Sequence, residues 1–156
     1  MAQLQPGDPV PALELLDQEG NTVKLADFQG KKVLLFFYPK ALTPGCTKQA
    51  CSVRDARTEL AELGVAALGI SPDPVALQKK FDAKHSLGFP LLSDPDHAVA
   101  QAYGVWGEKS MYGKKYEGIS RSAFLIDEQG RLIQAFYKVS PEQTVPLARA
   151  ALARAT

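Results

Sequence analysis

The sequence predicts an α/β layered sandwich, formed by residues 1–156 as one domain. Two observations lead to this prediction. Continuous apolar runs at 33–38 and 65–71 have the character of buried strands, and the segment between them has apolar residues at helical spacing. In addition, two pairs of short strand-like runs, one early and one late in the chain, each flank a turn that contains glycine.

The early pair of runs predicts an N-terminal β-hairpin. Residues 12–16 and 21–25 alternate in part between apolar and polar side chains, and the turn between them ends at Gly20. One helical turn over 26–30 follows. The strand over 33–38 comes next, and it ends before Pro39 because proline cannot donate to a sheet ladder.

A helix over 44–63 follows this strand. Thr43 is a preferred N-cap residue and Pro44 suits the first helical position, whereas Gly64 ends the helix. We expect the Thr43 side-chain oxygen to accept a hydrogen bond from the N–H of Cys46. Cys46 then lies in the first turn of a helix, directly after a central strand.

The rest of the chain alternates between strands and helices, with one irregular segment. Residues 105–119 contain three glycines and scattered aromatic residues, which favours a long loop with some extended structure. Asp73 is predicted to cap the second helix. Pro146 sits inside the last helix, so its regular part is expected to begin near Thr144. The predicted elements are a strand at 65–71, a helix at 74–84, a strand at 90–93, a helix at 96–103, a hairpin at 122–127 and 131–137, and a helix at 141–154.

Composition excludes few functions and favours none. The net charge of +1 gives no argument for a nucleic acid partner or an anionic membrane surface. No apolar run approaches the length of about 20 residues that spans a bilayer, and no signal peptide is visible, so a cytoplasmic location is expected. His85 and His97 have no second ligand at metal spacing, and no metal, flavin or haem is implied.

Cys46 is the candidate nucleophile. Helix N-termini favour negative charge, and they lower the pKa of a thiol, whose reactive form is the thiolate. Cys51 lies five residues further along, which places the two Cα atoms of an intact helix about 8–9 Å apart. A disulfide needs about 4.4–6.8 Å, so bridging the two requires part of the helix to unwind. The pair is interpreted either as a redox couple linked to local unfolding or as two structural thiols.

Five positions together match the pattern of a known family. Pro39, Thr43 and Cys46 form the motif Pro-x-x-x-Thr-x-x-Cys, Cys51 follows, and Arg121 precedes a predicted strand late in the fold. In this order the chain resembles the peroxiredoxins, and among them the atypical two-cysteine type called bacterioferritin comigratory protein or peroxiredoxin Q. The resemblance covers nearly the whole chain.

The resemblance implies a thioredoxin-like fold, a central mixed sheet flanked by helices, with an N-terminal β-hairpin extension. It also implies a peroxidase that reduces hydrogen peroxide and organic hydroperoxides through a Cys46 sulfenic acid. Cys51 is then the resolving cysteine, which closes an intramolecular disulfide, and thioredoxin or a similar dithiol restores the thiols. A monomer without a cofactor is expected.

Three further residues have candidate roles at this site. Arg121 suits ionisation of the thiol and stabilisation of the leaving oxygen, although alone it would be an ordinary exposed arginine. Thr43 can cap the helix and can also accept from the peroxide or donate to the thiolate, since these roles do not exclude each other. Pro39 can wall the pocket from water, and it also ends a strand.

Two other functions compete with a peroxidase. A protein thiol–disulfide oxidoreductase also uses two nearby cysteines, but its usual spacing is Cys-x-x-Cys, whereas four residues separate Cys46 and Cys51 here. A binding domain with incidental thiols is the other alternative. Its thiols would react with peroxide no faster than free cysteine.

Overall fold

The computed structural model describes residues 3–155. These residues form nine strands, four α-helices and one short 3₁₀ helix, Leu25–Phe28. The strands are β1 (Glu14–Leu16), β2 (Thr22–Lys24), β3 (Lys32–Phe37), β4 (Val65–Ser71), β5 (Leu91–Ser93), β6 (Trp106–Met111), β7 (Lys114–Ile119), β8 (Ser122–Ile126) and β9 (Leu132–Phe136). The α-helices are α1 (Pro44–Glu62), α2 (Val75–His85), α3 (Ala98–Ala102) and α4 (Thr144–Ala155).

Among the described residues, seven strands form one mixed sheet in the order β2-β1-β5-β4-β3-β8-β9. Strand β3 is central: it pairs in parallel with β4 and antiparallel with β8. Its residues Val33 to Phe37 are all buried, which explains the continuous apolar run. The N-terminal hairpin joins the same sheet, since Leu16 of β1 pairs with Ser93 of β5. The predicted mixed sheet with a hairpin extension is confirmed.

Two apolar clusters cover the two faces of the sheet. One lies beneath α1, α2 and α4, and α1 contributes Val53, Ala56 and Leu60 to it, at the spacing from which the helix was predicted. The other contains residues of α3 and the N-terminal hairpin. Cys46 belongs to the first cluster, and its side chain is 1% exposed. The nucleophile predicted from the sequence is therefore placed against an apolar core.

A second hairpin replaces most of the loop predicted at 105–119. Strands β6 and β7 pair antiparallel from Trp106 opposite Ile119 to Met111 opposite Lys114. Tyr112 and Gly113 form the turn, and both have positive φ, 54° and 79°. Two such residues are typical of the tight turn whose twist matches a hairpin. The loop prediction was wrong here because this two-stranded ribbon is largely exposed and has no apolar face to reveal it.

Several helix ends also differ from prediction. The prediction that Asp73 caps α2 was wrong. Pro74 occupies the N-cap position of α2, and no side-chain hydrogen bond caps this helix. Helix α3 is shorter than the predicted 96–103. Helix α4 begins at Thr144, as the position of Pro146 indicated. Within residues 3–155, the helices are all too short or too polar to cross a bilayer.

Candidate active site

The candidate site lies where the chain leaves β3 and enters α1. Parallel strands β3, β4 and β5 all end at this edge of the sheet, where open α/β sheets commonly bind ligands. Residues 39–43 form the connecting loop, and Pro39 is half-buried beside the fully buried Tyr38. Cys46 follows in the first turn of α1, as predicted. Local sequence therefore positions the thiol at the end of a rigid strand.

Arg121 lies beside the Cys46 thiol. Its Nη1 is 3.4 Å from Cys46 Sγ and donates a second hydrogen bond, 2.8 Å long, to Gln49 Oε1. Arg121 reaches the helix from the short link between β7 and β8. A guanidinium is always charged, so at this distance it can stabilise negative charge on the sulfur. The structure thus brings together two residues that are 75 positions apart in the sequence.

Gln49 holds Arg121 in this position and was missed in the sequence. Its side chain is fully buried, and its Nε2 donates to the hydroxyl of Thr144 at 3.0 Å. Gln49 follows Cys46 by three residues, so both side chains lie on one face of α1. A glutamine on the apolar face of a predicted helix was the available signal, because a buried amide requires hydrogen-bond partners.

Gly45 allows Arg121 to approach the start of α1. A Cβ atom at this position would lie 3.1 Å from Arg121 Nη2 and 3.6 Å from Pro141 Cγ. The first contact is tighter than ordinary van der Waals packing. Any side chain larger than hydrogen therefore displaces the guanidinium or the helix end.

Thr43 is the N-cap residue, but its hydroxyl does not cap the helix. It donates to the carbonyl oxygen of Lys40, 2.8 Å away, and the predicted bond from the N–H of Cys46 is absent. The N–H of Thr47 donates to the carbonyl of Thr43 at 2.9 Å. The amides of Gly45 and Cys46 lie before this hydrogen bond, in the part of a helix where amides have no acceptor within the helix itself. The predicted side-chain cap was wrong because the hydroxyl is directed toward the carbonyl of Lys40 in the preceding loop. The lone pairs of Thr43 Oγ1 remain able to accept.

Lys109 supplies a second positive charge near the thiol. Its ammonium donates to the carbonyl of Ile119 at 2.7 Å, and its stem passes over Gly118, where a Cβ atom would lie 3.3 Å from Lys109 Cδ. Burial lowers the pKa of Lys109, the charge of Arg121 lowers it further, and the negative charge of Cys46 opposes both effects. The hairpin β6–β7 therefore contributes a cation to the surroundings of the site.

Cys51 lies five residues, about 1.4 helical turns, beyond Cys46. Both cysteines are free thiols, and Cys51 is half-buried against the cluster that contains Cys46. Helix α1 is continuous through both positions. In this conformation the two side chains occupy different faces of one helix, so a disulfide between them requires a change in α1.

A family model for AhpC/TSA proteins matches residues 6–135. The chain belongs to the AhpC/TSA family. It is therefore a peroxiredoxin, a thiol peroxidase, and the resemblance drawn from its motifs is confirmed. Its thioredoxin-type fold is confirmed by the solved structures below.

Curated relatives agree with this assignment. The chain is 54% identical over 138 residues to a putative peroxiredoxin Bcp of Haemophilus influenzae, covering 88% of this chain and 89% of the relative. It is 48% identical over 139 residues to peroxiredoxin Bcp of Bacillus subtilis, covering 89% of this chain and 88% of that protein.

Solved structures of similar proteins have the same fold. Peroxidoxin BcpB of Mycobacterium tuberculosis superposes with a TM-score of 0.87 at 37% identity, covering 97% of this chain and 98% of that one. A bacterioferritin comigratory protein of Xanthomonas campestris, studied for its alkyl peroxide reduction activity, superposes with a TM-score of 0.86 at 36% identity, covering 92% of each chain.

Proposed function

We propose that Cys46 is the peroxidatic nucleophile of this thiol peroxidase. Its thiolate attacks the terminal oxygen of ROOH, the O–O bond breaks, and the products are a Cys46 sulfenic acid and RO⁻, which takes a proton to become ROH. With hydrogen peroxide the second product is water. The observation that carries the proposal is the guanidinium of Arg121, 3.4 Å from the Cys46 sulfur at the start of a helix.

Three groups are placed to stabilise negative charge on the Cys46 sulfur. The start of α1 contributes the positive end of a helix dipole, Arg121 contributes a fixed charge, and Lys109 adds a second charge nearby. Cys46 is buried, and Arg121 donates a hydrogen bond to its sulfur.

The residues around the sulfur can also align the substrate. The amide of Cys46 can donate to the peroxide, and the free lone pairs of Thr43 Oγ1 can accept its O–H. Arg121 is placed to stabilise the negative charge that develops on the leaving oxygen. Pro39 presents no N–H and, half-buried at the loop, helps to exclude water. Thr43, Pro39 and Arg121 thereby act with Cys46 as one catalytic unit.

Cys51 is the proposed resolving cysteine. Its thiolate attacks the sulfenic sulfur, a disulfide forms, and the hydroxide that leaves takes up a proton to become water. This step requires the first part of α1 to unwind, which breaks the contacts of Cys46 and Gln49 with Arg121. A dithiol protein of the thioredoxin type then reduces the disulfide by exchange and becomes oxidised itself.

Hydrogen peroxide and alkyl hydroperoxides are the proposed substrates. The 1% exposure of Cys46 suits a small terminal peroxide group, and the similar Xanthomonas campestris protein reduces alkyl peroxides. We also propose that residues 1–156 act as one domain, as a monomer and in the cytoplasm. Cys46, Cys51 and Arg121 all come from one chain, so the proposed cycle needs no second copy.

The test is the oxidation rate of the fully reduced protein with hydrogen peroxide. Trp106 fluorescence is recorded by stopped flow, and the product is weighed by mass spectrometry. We expect a rate far above that of free cysteine and a product lighter by two hydrogen atoms, as a disulfide requires. Cys51→Ser should complete one oxidation, gain one oxygen atom and form no intramolecular disulfide.

Cys46→Ser is the decisive control. It should abolish turnover, and turnover retained by this variant would remove Cys46 as the nucleophile. A wild-type rate equal to that of free cysteine would instead favour the protein thiol–disulfide oxidoreductase. Sedimentation of the reduced and oxidised protein checks the monomer.

A further inference from the structure

A buried carboxylate outside the proposed catalytic unit holds the loop that leads to Cys46. Asp73 follows β4, and its residue is only 8% exposed. Its Oδ2 accepts the backbone N–H of Ala41 at 2.6 Å and the hydroxyl of Ser71 at 2.7 Å. Ala41 lies in the middle of the loop 39–43. One carboxylate oxygen thus connects this loop to the end of the neighbouring strand.

A second connection begins at Tyr38, immediately before the loop. The Tyr38 hydroxyl donates to Gln78 Oε1 at 2.5 Å, and Gln78 Nε2 donates to Ser71 Oγ and to the carbonyl of Leu92, each at 2.9 Å. Both connections therefore meet at the Ser71 hydroxyl. Within the described residues, buried side-chain N and O atoms all have a hydrogen-bond partner, so this network is fully satisfied.

The loop itself has a backbone that needs such support. Leu42, next to Ala41, has a φ of 68°, which is uncommon for a residue with a side chain. Leu42 is 37% exposed, so packing of its side chain contributes little to this conformation. Backbone of this kind persists only where surrounding contacts fix it. The hydrogen bond from Ala41 to Asp73 is the contact adjacent to the strained residue.

We propose that Asp73 is a positioning residue for peroxide reduction, holding Ala41 so that Thr43 and the first amides of α1 face the substrate. The inference rests on the proposed function of Cys46 as nucleophile. Asp73 acts through the loop and touches no reacting atom. Its contribution is the alignment of donors and acceptors with the O–O bond.

The accepting oxygen of Asp73 is the feature that the loop uses. The negative charges of Asp73 and Cys46 both add to the effect of burial in raising the pKa of Tyr38, so the two groups lie near one hydroxyl. Like charges repel, so the charge of Asp73 gives no attraction to a negative sulfur. Removing that charge while keeping an oxygen should therefore preserve the loop, whereas removing the oxygen should disturb it.

The test compares two reactions of Cys46 in Asp73→Ala and Asp73→Asn. Alkylation by iodoacetamide requires only a thiolate, whereas reduction of hydrogen peroxide also requires aligned partners. Asp73→Ala should lower the peroxide rate about 10- to 100-fold with a much smaller change in alkylation. Asp73→Asn keeps the accepting oxygen, so its peroxide rate should stay within about fivefold of wild type.

Asp94→Ala is the matched control. Asp94 is also a buried carboxylate at the end of a strand, but its Oδ2 accepts the N–H of Ala100 at 2.9 Å, in α3. The Asp94→Ala variant should be less stable than the wild type and should keep the wild-type peroxide rate. An unchanged peroxide rate in Asp73→Ala, or equal losses in both variants, would overturn the proposal.

A second variant tests the proposal where Asp73→Ala does not fold. Ser71→Ala removes one of the two donors to Asp73 Oδ2 and should lower the peroxide rate about threefold to tenfold. An unchanged rate in Ser71→Ala would overturn the proposal. A wild-type peroxide rate equal to that of free cysteine would contradict the proposed function of Cys46 itself. A high peroxide rate in both wild type and Asp73→Ala would contradict only the positioning function of Asp73.

Discussion

The two halves of helix α1 differ in the polar contacts that accompany their packing. The N-terminal half, residues 44–51, buries Cys46 and Ala50 in the core. Its polar contacts are those of Gln49 with Arg121 and Thr144, and an exposed ion pair between Lys48 and Glu142 at 3.0 Å. It starts with proline and glycine and lacks a side-chain cap. These contacts all depend on geometry that a modest displacement of the helix would break.

The C-terminal half, residues 53–62, is held by packing. Val53 and Leu60 are almost completely buried, and Arg54 and Arg57 donate to the carbonyls of His85 and Leu87 at 2.8 Å each. The comparison indicates which part of α1 can change conformation. The proposed nucleophile and the proposed unwinding both lie in the N-terminal half, while the C-terminal half anchors the helix to the sheet.

Loss of Arg121 should give the largest effect on the N-terminal half. Arg121→Ala removes the donor to Cys46 Sγ, so we expect the peroxide rate to fall about 10²- to 10³-fold, the usual loss when one such donor is deleted. Stopped-flow oxidation measures it. Arg149→Ala is the matched control, because Arg149 pairs with Glu59 on the other half at 2.6 Å. A similar loss in both variants would contradict the division between the halves.

Leu60→Ala should lower stability without lowering the peroxide rate. The substitution leaves a cavity in the core and should lower the free energy of unfolding by about 3 kcal/mol. The peroxide rate of the folded protein should not change, because Leu60 is far from the polar contacts of residues 44–51. Urea unfolding measures the first quantity and stopped flow the second. Leu63→Ala, at a position 49% exposed, should alter stability by no more than about 0.5 kcal/mol.

Gly45→Ala should sharpen the comparison at the start of the helix. The new methyl group meets Arg121 Nη2, so the guanidinium must shift and the peroxide rate should fall about tenfold. Gly107→Ala, where no atom lies within 4 Å of the added Cβ, should keep the wild-type rate. Equal rates for wild type and Gly45→Ala would mean that Arg121 does not require its close approach to α1.

The smallest effect is expected for the exposed ion pair. The hydrogen bond from Lys48 lowers the pKa of Glu142 from its ordinary value of 4.5. A lowered pKa means that the pair stabilises the fold above pH 4.5 and that this stabilisation is lost as the pH falls through the lower folded value. Glu142→Gln should speed formation of the disulfide about twofold at neutral pH, measured by quenching and mass spectrometry.

Salt supplies the control for this prediction. High ionic strength screens exposed pairs, so it should reduce the difference between wild type and Glu142→Gln. Glu19→Gln removes another exposed pair, with Lys79 at 3.6 Å, and should leave the disulfide rate unchanged. An acceleration of equal size in Glu19→Gln would show that the effect is not local to α1.

Local sequence patterns predicted the parts of the molecule that face the core. The continuous apolar run of β3 reflects burial on both faces of the sheet, and the spacing of Val53, Ala56 and Leu60 reflects burial of one face of a helix. The exposed hairpin β6–β7 has no such period, so its turn at Tyr112 and Gly113 was the only indication, and it was not recognised. Pattern reasoning finds elements that face the core and misses those that do not.

The site shows a related limit. The motif predicted which residues gather, but not the partners of their polar atoms. Thr43 donates a hydrogen bond to the carbonyl of Lys40 rather than capping α1, and Asp73 accepts from the N–H of Ala41 rather than capping α2. The partner of Thr43 is set by the local path of the loop, and that of Asp73 by tertiary structure. Residue type alone does not distinguish either arrangement from a cap.

Both thiols belong to one helix, five positions apart. In the proposed cycle, their encounter is governed by an effective concentration that the chain itself sets, independent of how many copies of the protein surround it. In a dilution series, the proposed second step of oxidation should then keep the same first-order rate constant. A molecule that carries its own second reactant would complete the oxidation of its thiols equally well when the protein is scarce.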